Sequence, residues 1–162
     1  MAQAVSTVIQ TRPALDAWIR LLRAHAASTR ELSAQLIAEH SLTINDYEAL
    51  LHLSRAEDGR MRRVDLAGRL LLTASGVTRL LDGLEAAGLV EKAACASDRR
   101  VTYAVLTDAG RERLQVASRS HIAAVRNLFE SRFTEEELGE LAALLERLPG
   151  AAGAEGEDCR AD

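Results

Sequence analysis

Residues 61–110 limit the folds open to this chain more than any other stretch. They contain two short helical patterns, followed by two strand patterns that a basic loop separates. Helix, turn, helix and hairpin in this order are typical of a winged helix-turn-helix, which reads DNA with its second helix. We therefore predict a mainly α fold with a small β-hairpin wing, in which N- and C-terminal dimerisation helices flank the DNA-binding domain.

The second helix of this segment has local boundary signals at both ends. Thr73 is suited to cap its N-terminus, and Gly88 can take the left-handed conformation that ends a helix. Its apolar stripe has helical spacing and consists of Val77, Leu80, Leu81 and Leu84. We predict that Ser75, Thr78 and Arg79, which lie largely off this stripe, contact DNA in the major groove. The alternative is that they are ordinary surface residues.

The loop of the hairpin is the second predicted DNA contact. It has the sequence CASDRR and lies between the predicted strands 89–94 and 101–106. Adjacent arginines at an exposed tip are poorly suited to a core, but they can enter a narrow, electronegative minor groove. We predict that Arg99 and Arg100 contact DNA and that Asp98 orients a neighbouring arginine by ion pairing.

Positive charge is concentrated around this segment, although the formal net charge of the chain is −4. Residues 60–113 carry ten Lys or Arg against seven Asp or Glu, so the negative excess lies elsewhere. Charge within a Debye length is what a DNA partner senses. Three further arginines are possible phosphate contacts, namely Arg62, Arg63 and Arg69. The alternative is that they are ordinary solvated arginines on an exposed face.

The flanking segments divide the chain into five parts. We predict a flexible arm over 1–12, an N-terminal helix over 13–42, the DNA-binding region over 43–106, C-terminal helices over 107–148 and a disordered acidic tail over 149–162. The terminal helices have apolar faces but no evident partner domain. A two-fold homodimer would bury these faces and place two reading heads on successive major grooves.

Trp18 and His25 lie seven residues apart on one face of the N-terminal helix. Stacking on the indole and hydrogen bonding to the imidazole would suit an aromatic acid, although core or dimer packing is the commoner role of such residues. The residues of this possible ligand pocket are Trp18, Leu22, His25, Tyr47 and His52.

Composition excludes several other classes of protein. The 162 residues suffice for one domain, and 48% of them are hydrophobic, as in a globular protein. No apolar run approaches the roughly 18 residues of a membrane span, and the N-terminus lacks the pattern of a signal peptide, so we expect a cytoplasmic location and no membrane partner. Phosphate-binding, dinucleotide-binding and nucleophile motifs are absent, which argues against an enzyme.

The cysteines and histidines give no sign of a cofactor. Two cysteines, Cys95 and Cys159, do not form a disulfide framework, and the four histidines lack metal-ligand spacing, so we predict no metal and no cofactor. A redox switch at Cys95 is an alternative to an incidental small residue in the loop. A winged helix that binds only protein is a further alternative, although it would have no need of exposed arginines in the wing.

Two motifs resemble those of the multiple antibiotic resistance regulator (MarR) family of transcription factors. DRRVTYAVLTDAG, residues 98–110, matches the family's wing pattern D-x-R, five residues, L-T-x-x-G. GVTRLLDGLEAAGLV, residues 76–90, is similar to its recognition helix, and the resemblance extends over residues 13–148.

The resemblance implies a homodimer that binds a palindromic operator, usually as a repressor. It implies that Arg100 enters the minor groove with Asp98 orienting it, and that Arg99 makes a second groove or phosphate contact. In the recognition helix the matching positions are Ser75, Thr78 and Arg79. It also implies release of DNA by a small anionic aromatic ligand, whereas activation instead of repression stays open.

Overall fold

The computed structural model describes residues 13–70, 72–94 and 101–149, and it confirms a mainly helical fold with a small sheet. The elements, in chain order, are α1 (Pro13–His40), α2 (Ile44–Arg55), β1 (Arg60–Arg62), α3 (Arg63–Arg69), α4 (Ala74–Ala86), β2 (Val90–Ala94), β3 (Thr102–Leu106), α5 (Asp108–Glu130) and α6 (Glu135–Glu146). A single 3-10 turn, Glu57–Gly59, precedes β1. No helix in these ranges is both long and apolar enough to cross a membrane.

Local hydrogen bonds set several helix ends, including both ends that the sequence predicts for α4. One threonine hydroxyl caps the N-terminus of each of four helices: Thr43, Thr73, Thr107 and Thr134. At the other end of α4, Gly88 has a φ of +71°. The Leu89 N–H then donates to the Leu84 carbonyl at 2.9 Å, which completes a Schellman motif. The ends of α4 therefore need no tertiary contact to be defined.

The three strands form an antiparallel sheet in the order β1-β3-β2. Ala104 of β3 pairs with Met61 on one side and with Lys92 on the other. The predicted strands 89–94 and 101–106 each begin one residue later in the structure. Strand β1 joins the hairpin to the helix-turn-helix, because its last residue is followed directly by α3.

The core lies between α2, α3, α4 and the sheet. Its fully buried side chains are almost all aliphatic, and the largest include Leu36, Leu50, Leu53, Leu66, Val77 and Leu81. Among the described residues, Leu36 is the one buried residue of α1. Since α1 has 28 residues, it is about 42 Å long and extends well beyond the core that its C-terminal part joins.

Polar contacts join the C-terminal part of α1 to α5. His40 Nε2 and Ser120 Oγ share a hydrogen bond of 2.6 Å, and Gln35 Nε2 donates to the same hydroxyl at 3.2 Å. Arg113 Nη1 donates to the His40 carbonyl at 2.7 Å, which satisfies a backbone acceptor at the end of α1. These bonds anchor the two long helices α1 and α5 to each other.

Candidate nucleic-acid interface

Helix α4 presents a polar stripe to solvent on the side opposite its buried residues. Ser75, Arg79 and Asp82 are exposed, whereas Val77 and Leu81 are completely or almost completely buried. Arg79 forms no ion pair with any residue of the described ranges, so its guanidinium is available to an anionic partner. The structure thus brings Ser75 and Arg79 together on one accessible face, as a base-reading helix requires.

Thr78 is more constrained than its two predicted partners. It is half-buried, and its hydroxyl donates to the Ala74 carbonyl within α4 at 2.8 Å. Arg63 Nη1, at the start of α3, lies 3.5 Å from the same Thr78 oxygen. Because the hydroxyl proton of Thr78 is already used, this side chain can offer a base only an acceptor or its methyl group. The DNA contact of Thr78 stays a prediction.

Arg62 and Arg69, which with Arg63 are the predicted phosphate contacts, differ in their surroundings. Arg62 Nε and Nη2 donate to both carboxylate oxygens of Asp65, at 2.6 and 2.9 Å. This bidentate pair holds the pKa of the Asp65 carboxyl below its usual range. Arg62 would have to leave this pair to bind a phosphate, whereas Arg69 is exposed at the end of α3.

The tip of the wing lies outside the described residues. Cys95, Asp98, Arg99 and Arg100 all fall between the described ends of β2 and β3, so their roles stay predictions. Where the hairpin is described, Ala94 pairs with Thr102. The described part of the hairpin therefore ends at this pair.

Contacts at the base of the wing hold the hairpin, α4 and α5 together. Thr107 Oγ1 donates to the Gly88 carbonyl at 2.8 Å, and the Thr107 N–H donates to the Leu89 carbonyl at 3.2 Å. Gly110 lies so close to this turn that a β-carbon there would be 2.1 Å from the Leu89 oxygen. The structure thus explains the L-T-x-x-G part of the wing motif, because its threonine and glycine allow α5 to pack closely against the end of α4.

One charged contact at this interface was not predicted. Lys92 of β2 pairs with Asp82 and Glu85 of α4, and its Nζ lies 2.8 Å from Glu85 Oε2. The two carboxylates raise the pKa of Lys92. Asp82 and Glu85 are three residues apart and so share one side of a helix, which is visible in the sequence. The position of Lys92 opposite them depends on how β2 packs against α4. That packing is not visible in the sequence.

The structure places the five predicted pocket residues in different surroundings. Tyr47 is buried, with its ring centroid 4.6 Å from that of His121 and its hydroxyl 3.2 Å from Ser118 Oγ. Burial also lowers the pKa of His121. Trp18 and Leu22 are instead exposed on the N-terminal half of α1. His52 of α2 is half-buried.

His25 belongs to a different feature, a shallow groove of about 600 Å³ along α1. Its lining combines hydroxyl, small apolar and basic side chains: His25, Ala26, Thr29, Arg30, Ser33, Ala34 and Ile37. Desolvation raises the pKa of Glu48 of α2, and the electrostatic influence of His25 acts against this rise. Within the described ranges no group of three or more His, Cys, Asp or Glu could hold a metal ion.

The chain is similar to known transcriptional regulators in sequence and in structure. A family model described as MarR family matches residues 40–101. AbsC, a MarR family transcriptional regulator of Streptomyces coelicolor, is 37% identical and superposes with a TM-score of 0.72, over 80% of this chain and 87% of AbsC.

Two further relatives bear on function. Sco3205, a MarR family transcriptional regulator of Streptomyces coelicolor solved in complex with DNA, is 28% identical with a TM-score of 0.74, over 80% of this chain and 81% of Sco3205. The transcriptional repressor YetL of Bacillus subtilis is 31% identical over 61% of this chain and 59% of YetL. With the family match and the winged helix-turn-helix geometry, these similarities establish that the chain belongs to the MarR family and is a DNA-binding transcriptional regulator, not an enzyme.

Proposed function

We propose that this regulator is a homodimeric repressor that binds a palindromic operator and releases it when a small anionic aromatic ligand binds. The observation that carries the DNA-binding part is the exposed stripe of Ser75 and Arg79 on a helix with defined ends, next to a β-hairpin. The similarity to Sco3205, which was solved with DNA, and to the repressor YetL supports the same part.

Exposed apolar side chains on the terminal helices support the homodimer. Helix α6 has no buried residue, although its sequence forms a leucine stripe in which Leu144 is 59% exposed. Trp18 of α1 is 55% exposed, which is unusual for a tryptophan in a monomer. Faces of this kind mark protein interfaces, and a second copy of the chain would cover both helices.

The symmetry of such a dimer dictates the symmetry of its operator. Two copies related by a two-fold axis present two α4 helices in opposite orientations, so each reads the same half-site on opposite strands. The half-sites should lie about 10 base pairs, one helical turn, apart from centre to centre. The wing of each copy would then reach the minor groove next to its half-site.

The groove along α1 supports binding of an anionic effector. His25 and Arg30 can hold a carboxylate, whereas Ala34 and Ile37 offer an apolar surface to an aromatic ring. The groove is open on one side, and it lies on the same helix as the exposed Trp18. A ligand there would touch α1 near its contact with the DNA-binding region, which is where a change in helix position would affect the reading heads.

Selection from a randomised duplex library of about 30 base pairs, roughly three turns of DNA, tests the DNA-binding part and the dimer. We expect the selected duplexes to contain an inverted repeat and to bind two chains each. We also expect the logarithm of the affinity to fall linearly with the logarithm of the salt concentration. A duplex with one scrambled half-site is the control. Binding of a single chain, or binding that salt leaves unchanged, would contradict the proposal.

Trp18 provides a test of the effector, because it is the one tryptophan of the chain. We expect hydroxybenzoic or hydroxycinnamic acids to quench its fluorescence over the concentrations that release a selected duplex. The methyl esters of the same acids lack the charge and should have little effect, and Arg30→Gln should weaken the response of the acids. Release of DNA with unchanged Trp18 emission would argue against a site on this face, and no release by any of the acids would rule out this effector class.

A further inference from the structure

We propose that Lys92 is a positioning residue for DNA binding, which holds Asp82 and Glu85 back from the DNA and offsets part of their negative charge. This inference rests on the proposed use of α4 as the DNA-reading helix. It concerns residues of the interface that have no predicted contact with DNA themselves.

Lys92 extends from β2 to α4, where its ammonium pairs with Asp82 and lies 2.8 Å from Glu85 Oε2. The three side chains are between 30% and 56% exposed, so they lie at the surface. An ammonium has three N–H donors, and two of them are used by these carboxylates. Lys92 is therefore poorly placed to act as a phosphate contact itself.

Asp82 lies on the exposed side of α4. It follows Ser75 by seven residues, so the two side chains leave the helix within about 20° of each other. It also follows Arg79 by three residues, which places it on the same exposed stripe. A free carboxylate at this position would lie near the phosphates that flank the groove and would repel them.

The charges on this side of α4 balance only when Lys92 is included. Asp82 and Glu85 together carry two negative charges against the one positive charge of Arg79 on the same helix. Lys92 supplies a second positive charge from outside the helix, and its own raised pKa keeps it protonated. The DNA-facing side of α4 therefore depends on a residue of the wing for its charge balance.

Binding of a library-selected duplex by four proteins tests this role. Lys92→Met keeps most of the side-chain stem but removes the charge, and we expect it to weaken binding about fivefold or more. Lys92→Arg keeps the charge and should bind within about twofold of the wild-type protein. Lys92→Met combined with Asp82→Asn and Glu85→Gln should regain at least wild-type affinity, because no carboxylate is left to neutralise.

The triple variant separates a positioning role from a direct contact or a folding defect. If it binds as weakly as Lys92→Met, Lys92 acts on DNA itself or on stability, and the inference is wrong. Wild-type affinity for Lys92→Met would overturn it as well. The wild-type titration against salt comes first: if it shows no salt-dependent binding, DNA reading by α4 fails and the inference fails with it. Thermal unfolding of each variant identifies any loss of fold.

Discussion

Replacement of Gly110 by alanine is expected to lower the free energy of unfolding by about 3 kcal/mol or more. The new β-carbon would lie 2.1 Å from the Leu89 carbonyl oxygen and 2.8 Å from Leu106 Cδ1. The oxygen belongs to the backbone and accepts a hydrogen bond from Thr107, so it cannot rotate away as a flexible side chain could. Helix α5 would have to move away from the turn that links α4 to β2.

Gly83→Ala is the matched control, because it makes the same substitution in a helix of the same region. A β-carbon at Gly83 meets nothing within 4 Å, and alanine is the better helix former. We expect this variant to be more stable than the wild-type protein by about 0.5–1 kcal/mol. Urea denaturation measures both changes. Similar midpoints for the two variants would show that α5 does not approach the turn as closely as the structure has it.

Substitution of Arg100 by alanine is expected to weaken binding of a selected duplex by about 1–3 kcal/mol, or about 5- to 150-fold. The basis is the sequence of the wing and its resemblance to the family, since Arg100 lies outside the described residues. With α4 in the major groove, a wing in the adjacent minor groove would let one reading head contact both grooves. The affinity is measured by fluorescence anisotropy of a labelled duplex.

Two controls distinguish groove recognition by Arg100 from a general loss of charge. Arg126→Ala removes an exposed arginine of α5 that is roughly 24 Å along the helix from Gly110, and it should bind almost as the wild-type protein does. Arg100→Lys keeps the charge but loses the planar fork that favours arginine in a narrow groove, and we expect an intermediate affinity. Equal losses for Arg100→Ala and Arg126→Ala would refute the predicted role of the wing.

Local chemistry explains why so much of the reading head could be predicted. A threonine cap such as Thr73 and a left-handed glycine such as Gly88 act within a few residues, and the structure has both where the sequence places them. The strand pair follows from alternation of apolar and polar residues, and its bounds differ from the prediction by one residue. The structure confirms the winged helix-turn-helix. This fold could be predicted because its elements have short-range signals.

Periodicity was less informative for the terminal helices and the predicted pocket. It shows that Trp18 and Tyr47 each belong to an apolar face, but it does not show what that face contacts. In the structure Tyr47 packs against His121 in the interior, whereas Trp18 is exposed on a helix that extends past the core. Burial depends on which elements meet, and the partners here are far apart in the chain.

The sequence by itself determined the elements, their ends and the family, because capping, turn formation and alternation are properties of neighbouring residues. Only the tertiary structure decided which side chains meet across elements. The contact of Lys92 with Asp82 and Glu85, and the close approach of Gly110 to Leu89, both arise where β2 and α5 pack against the end of α4. Contacts of this kind depend on the relative position of whole elements, which no local pattern encodes.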